Sequence, residues 1–229
     1  MQTLTYLLPQ TKKHPHGYVQ NIQISDESLL KAVYIKENSG FFARLRLRRQ
    51  MKGCTLFDND VASKIRAKKI YYDGLNLVKH HINELIFMTA KFSPVVVSTC
   101  DRTDLQALDS SITALKSISI LTTPQLQEEF DSILLNNYGI AGAVRCAVPL
   151  TGKTAVIMPG GSIFSTEGAA RIIDLTDKSK ICKSVKFRVP EIFKGAESFL
   201  RTPDALETAM CFFRIDFSKA QITSVKFDK

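Results

Sequence analysis

The sequence predicts an α+β fold, with antiparallel β-rich N- and C-terminal segments around a central helical layer. Three observations lead there. Short alternating or β-branched runs bounded by turn residues gather before residue 57 and after residue 141. Apolar residues at three- and four-residue steps fill the stretch between them. The chain has 229 residues, 45% hydrophobic and 23% charged, which is a globular composition long enough to bury a sizeable core. The expected division is a basic β/α lobe over 1–140 and a β-rich lobe over 141–229, with a single domain as the alternative.

Thr3 to Leu8 and Tyr18 to Ile24 are candidate strands, separated by the turn-like stretch Pro9 to Gly17. Ser25-Asp26 is placed to cap a helix over Glu27 to Ile35, although Ala32 to Ile35 would also suit a strand. After a turn at Asn38-Ser39-Gly40, Phe42 to Arg49 alternates strictly. A strand turns alternate residues to opposite faces, so Arg44, Arg46 and Arg48 would form one row and Ala43, Leu45 and Leu47 another. Asp58-Asn59-Asp60 is an N-cap cluster for a helix over Val61 to Tyr71.

Leu75, Val78, Ile82, Leu85, Ile86 and Thr89 mark a strong amphipathic helix, and Pro94 to Ser98 a buried strand. Leu105, Leu108, Ile112 and Leu115 mark a further helix. Thr123-Pro124 is the N-cap and first turn of another, with Leu126, Phe130, Ile133 and Leu134 on its buried side and Asn136 to Gly139 at its end. Ala143 to Leu150 and Thr154 to Met158 read as a hairpin, and Val185 to Val189 as a strand. Pro203 to Glu207 is a helical turn before a terminal antiparallel pair, Met210 to Phe217 with Ile222 to Phe227.

Charge is the most informative feature. The formal net charge is +9, and the segment from Arg44 to Lys69 holds nine basic residues against Asp58 and Asp60, so +7 of it lies in about a ninth of the length. Clustered cations point to a polyanion, because they repel one another until phosphate neutralises them. The candidate anion-binding residues are Arg44, Arg46, Arg48, Arg49, Lys52, Lys64, Arg66, Lys68 and Lys69. Guanidinium forks match phosphate oxygens bidentately. Tyr71 and Tyr72 are placed either to stack on a base or to pack on a core. Alternating Arg and Leu also fits a solvated edge strand protected from mispairing. Six acids between residues 101 and 140 (Asp101, Asp104, Asp109, Glu128, Glu129, Asp131) form a possible counter-face for head-to-tail self-assembly with the basic strand.

No catalytic signature stands beside this patch. Thr151-Gly152-Lys153-Thr154 resembles the end of a phosphate loop, but Ala147 occupies the position of the required glycine and a strand-like run follows. Pro159-Gly160-Gly161-Ser162 reads as a turn. Neither His14/His16 nor His80/His81 has H-x-x-x-H spacing, and the five cysteines form no C-x-x-C, so neither cofactor nor metal is expected. The apolar run Leu4 to Leu8 is stopped by Pro9 and lacks a charged flank, and no apolar stretch approaches membrane-spanning length. The expected location is the cytoplasm or nucleus, in a reducing compartment, neither secreted nor transmembrane. The expected function is non-enzymatic binding of RNA or single-stranded nucleic acid, in a structural or assembly role such as that of a viral matrix, movement or nucleocapsid protein. The alternatives are a matrix-type protein bound peripherally to anionic membranes, and an enzyme whose site is assembled from distant residues.

Overall fold

The computed structural model of the chain describes residues 1–36, 40–108 and 118–228. It opens with strands β1 (Gln2–Pro9), β2 (Val19–Ser25) and β3 (Ser28–Ile35). β3 replaces the helix expected over Glu27 to Ile35. Asp26-Glu27 turns a β2–β3 hairpin instead of capping a helix, and Ala32 to Ile35 are buried one after another as sheet residues. Asn38 and Ser39 of the expected turn lie outside the described residues.

The arginine segment is a helix, α1 (Phe41–Gln50), and the strand reading is corrected. No β-branched residue lies between Phe41 and Lys52, and Leu, Arg, Ala, Gln and Met are all good helix formers. Ala43, Leu47 and Met51 recur every fourth residue. Leu47 and Met51 bury themselves in a core with Leu7, Val33, Leu56 and Ile65, which fixes the helix on the sheet. The expected row of arginines is thereby broken, because residues two apart on a helix point about 200° apart.

β4 (Thr55–Phe57) and β5 (Lys69–Ile70) flank a 3-10 turn at Ala62–Lys64. The helix expected over Val61 to Tyr71 does not form. Asn59 does cap, accepting from the Ala62 N–H at 2.8 Å, but its Nδ2 also donates to the Leu7 carbonyl at 2.9 Å. That second bond ties the turn to β1, and the chain then pairs with β4 by way of the Leu56 N–H to the Lys68 carbonyl.

The following helical stretch is broken at His81 into α2 (Leu75–His80) and α3 (Ile82–Ala90), burying Leu77, Val78, Ile82, Leu85, Ile86 and Thr89. β6 (Val95–Ser98) leads to the short α4 (Arg102–Gln106), while Ile112 and Leu115 of the expected helix lie outside the described residues. β7 (Ile118–Leu121) precedes α5 (Pro124–Tyr138), which starts at Thr123-Pro124 and ends at left-handed Gly139 as the sequence predicts; of its expected buried side Phe130 and Leu134 are buried and Leu126 and Ile133 half-buried. Then come β8 (Val144–Arg145), β9 (Thr154–Ile157), β10 (Arg171–Asp174), α6 (Lys178–Ser184), β11 (Val185–Arg188), α7 (Pro203–Phe213) and β12 (Gln221–Val225).

Two further expectations are corrected. β8 and β9 are not a hairpin but lie in one sheet, separated by β7 and β6, because the fully buried Thr154–Ile157 makes an interior parallel strand. Met210 to Phe213 belong to α7, so β12 takes β11 as its antiparallel partner. Helix and strand make up 35% and 27% of the fold, and the α+β class holds. Among the described strands, antiparallel pairing joins only β2 with β3 and β11 with β12, and every other strand pair is parallel.

The chain divides into two compact units, Met1–Tyr72 with Val189–Lys219, and Asp73–Arg188 with Ala220–Lys229; residue 140 falls inside the second. The first is built on the sheet β2-β3-β1-β4-β5. Tyr6 of its central strand is fully buried, stacks on Phe57 at 4.8 Å and donates to the Ala205 carbonyl of α7 at 2.7 Å. Burial, reinforced by the charge of Asp204, pushes its pKa well above the ordinary value, so it remains a neutral donor. The second unit is built on the sheet β10-β9-β6-β7-β8, with β11–β12 as a separate pair.

Candidate functional site

Seven of the nine predicted cations meet around α1, in the first unit. A smaller groove of about 330 Å³ is lined by Phe41, Arg44, Leu45 and Arg48 of α1 and by Lys64, Ile65 and Arg66 of the β4–β5 connection. A larger one of about 650 Å³ shares Leu45, Arg48 and Arg66 with it and adds Arg49, Lys52 and Lys68, along with Cys54 and Thr55. Among the described residues no carboxylate lines either groove. Arg44 and Arg48 stand one helical turn apart on α1, and Lys64 and Arg66 line the same groove from the β4–β5 connection, so two elements supply its cations.

The remaining two are placed elsewhere. Arg46 lies across the helix, in a third groove with His16 and Lys31. Lys69 is engaged within the unit, 3.5 Å from the Asp58 carboxylate and donating to the Ser63 carbonyl at 3.0 Å. Among the described residues none of the other eight has a carboxylate partner. Arg48 and Arg49 do have a local reason to be basic, since cations near a helix C-terminus offset its dipole. Arg44 has none, because it stands near the N-terminal end with no acid in the first turn.

Sequence reasoning missed Phe41 and Phe42. They open α1 with exposures of 74% and 81%, and their rings meet edge to face with centroids 5.7 Å apart. The signal was available in the four-residue stripe Ala43, Leu47, Met51, which turns both rings away from the core. Tyr71 keeps its ring near Phe57 at 6.4 Å, and the Tyr72 N–H is held by Thr208 Oγ1 at 3.1 Å, so both are tied to the fold.

The second unit spends its charge internally. Asp104, only 2% exposed, lies 2.6 Å from Lys79 Nζ and accepts from Thr99 Oγ1. Arg102 pairs with Glu129, and Lys180 with Asp174 at 2.7 Å. Asp101 caps α4 through the Thr103 N–H at 2.8 Å; that bond, strengthened by Lys79 and opposed by partial burial, lowers its pKa. Of the six acids of the expected counter-face, Asp104 and Glu129 are ion-paired within the unit, Asp101 caps α4, Glu128 is exposed, Asp131 is half-buried, and Asp109 lies outside the described residues.

Taken in chain order, the strands of this sheet lie 3-2-1-4-5, the order of doubly wound dinucleotide-binding sheets, whose ligands sit past the C-terminal ends of the first and fourth strands. Those ends are Ser98 and Ile157. The turn after β6 is Thr99-Cys100-Asp101, without glycine, and the Asp101 carboxylate occupies the helix end where a phosphate would have to rest. Gly160 and Gly161 close over it. A Cβ on Gly161 would fall 2.0 Å from the Ser98 carbonyl oxygen, so the two loops touch through backbone alone. Strand order by itself carries no function.

None of the five half-buried cysteines forms a disulfide, and burial followed by the charge of Glu207 raises the pKa of Cys211. None of the three grooves brings a cysteine beside a histidine. Among the described residues no cluster of three metal-ligating side chains occurs, and no helix is long and apolar enough to cross a membrane. No protein-family model, curated protein or solved structure matches the chain.

Proposed function

We propose that this chain is a non-enzymatic nucleic-acid-binding protein of structural or assembly type, which holds the phosphate backbone of RNA or another single strand along α1. One observation carries the reading: seven cations line two adjoining grooves where, among the described residues, no carboxylate is found. Arg44, Arg48, Arg49 and Arg66 supply bidentate forks, and Lys52, Lys64 and Lys68 widen the field. A flat anionic membrane would reach the outer face of α1 more readily than the interior of a groove lined by two elements, which favours a linear polyanion over lipid.

The experiment compares binding of a single-stranded RNA by wild type, by Arg44→Glu/Arg48→Glu/Arg66→Glu and by Arg46→Glu across a salt series. With all seven cations engaged, the slope of log affinity against log salt is about −5. The triple variant loses the binding and flattens the slope by about 2 to 3, whereas Arg46→Glu, across the helix, changes it by less than about 1. Equal losses from both variants would mean that general charge is at work and not the grooves. Binding of phosphatidylserine vesicles with none of RNA would put the membrane in place of nucleic acid.

A further inference from the structure

We infer that Phe41 and Phe42 form a base-stacking platform at the mouth of the cationic track, and that this pair selects unpaired over paired nucleic acid. This rests on reading the grooves as a phosphate track. Two large rings at 74% and 81% exposure leave apolar surface in water that nothing in the described fold covers. Phe41 is also a wall of the smaller groove, beside Arg44, Arg48, Lys64 and Arg66, so a base laid on its face keeps its own phosphate among those cations. The two rings stand 79° apart in plane, which leaves their faces pointing in different directions. A single strand can swing one base onto a ring while its backbone follows the groove. A duplex keeps its base faces stacked inside and presents edges and phosphates only. Charge complementarity therefore recruits either form, and the aromatic pair separates them.

The chain contains no tryptophan, so Phe42→Trp installs a single emission reporter on the platform. The test measures an oligothymidylate, its abasic counterpart and a duplex of equal length against wild type, Phe41→Ala/Phe42→Ala and Phe42→Trp. The alanine pair is expected to lose roughly tenfold or more on oligothymidylate and less than about twofold on the abasic strand and the duplex. The tryptophan variant still binds oligothymidylate, and its emission is quenched by that strand but not by the abasic one. Both rings project into solvent, and unchanged thermal unfolding of the variants confirms intact folding. Equal losses on all three ligands, or no loss on any, overturn the platform while leaving the phosphate track standing. Wild type that binds none of the three overturns both. A blue-shifted emission on phosphatidylserine vesicles without quenching by nucleic acid overturns base stacking in favour of membrane docking.

Discussion

The two units meet the same problem, charge on a mainly parallel sheet, in opposite ways. The first unit carries 17 basic and 10 acidic residues, a net of +7, and the second 14 and 12, a net of +2. In the second, cations find carboxylates nearby: Lys79 with Asp104, Arg102 with Glu129, Lys180 with Asp174. In the first, Arg44, Arg48, Arg49, Lys52, Lys64, Arg66 and Lys68 line grooves with no acid among the described residues. Charge neutralised inside a fold contributes to its stability. Charge left concentrated and unmatched costs stability in isolation, and the proposed polyanion would offset that cost.

That difference is open to test by removing one partner from each kind of pair. Asp104→Ala leaves Lys79, only 19% exposed, without its carboxylate and Thr99 without its acceptor, and should lower the free energy of unfolding by about 3 kcal/mol. Asp58→Ala removes the partner of Lys69 from a site where both side chains reach water, and should cost less than about 0.5 kcal/mol. Urea denaturation of the two variants gives the ratio. Similar costs would erase the distinction between an inward-directed and an outward-directed charge set.

Acid sharpens the comparison further. Burial works against ionised Asp174, but hydrogen bonds from Lys180 and from the Thr176 amide and hydroxyl outweigh it, and the carboxyl sits below its ordinary value of 3.8. A carboxyl with a depressed folded pKa stabilises fully above its unfolded value and loses that contribution as pH falls through the folded one. Melting temperature should therefore drop below about pH 4, and Asp174→Asn should make that drop shallower while lowering the plateau near neutrality. An acid limb of unchanged depth in the variant would show that the second unit does not draw stability from this pair.

How much of this was legible in the sequence follows from what each residue type constrains. Proline, glycine and caps act locally, and α5 from Thr123-Pro124 to Gly139 came out as read. The buried run at Val95–Ser98 likewise admitted one interpretation. Alternation did not, because Arg and Leu suit both periods; the deciding contacts of Leu47 and Met51 with Leu7, Val33 and Leu56 are distant in sequence. The parallel order of β8, β7, β6 and β9 was invisible for the same reason, since pairing partners are chosen by packing across helices. The charge cluster was legible because the nine cations are near neighbours in the chain, which keeps most of them together whatever the local fold. The helix changed its membership, releasing Arg46 and bringing Phe41 to the groove.

The smallest expected effect separates the two units most directly, because its sign is the opposite of what loss of a useful contact would give. Arg44 stands in the N-terminal half of α1, where the helix dipole disfavours a cation, one turn from Arg48 and in the same groove as Lys64 and Arg66. Arg44→Gln should therefore stabilise the free protein by a few tenths of a kcal/mol at low salt, or about 1 °C in melting temperature. The gain should vanish near about 0.5 M salt, where screening acts within a few ångströms. With saturating single-stranded RNA the order should reverse, wild type melting above the variant, since ligand that binds only the folded state stabilises in proportion to the logarithm of its concentration over its Kd. A variant less stable than wild type in both conditions would place Arg44 among the internal contacts of the fold, like Lys79, and the first unit would then resemble the second.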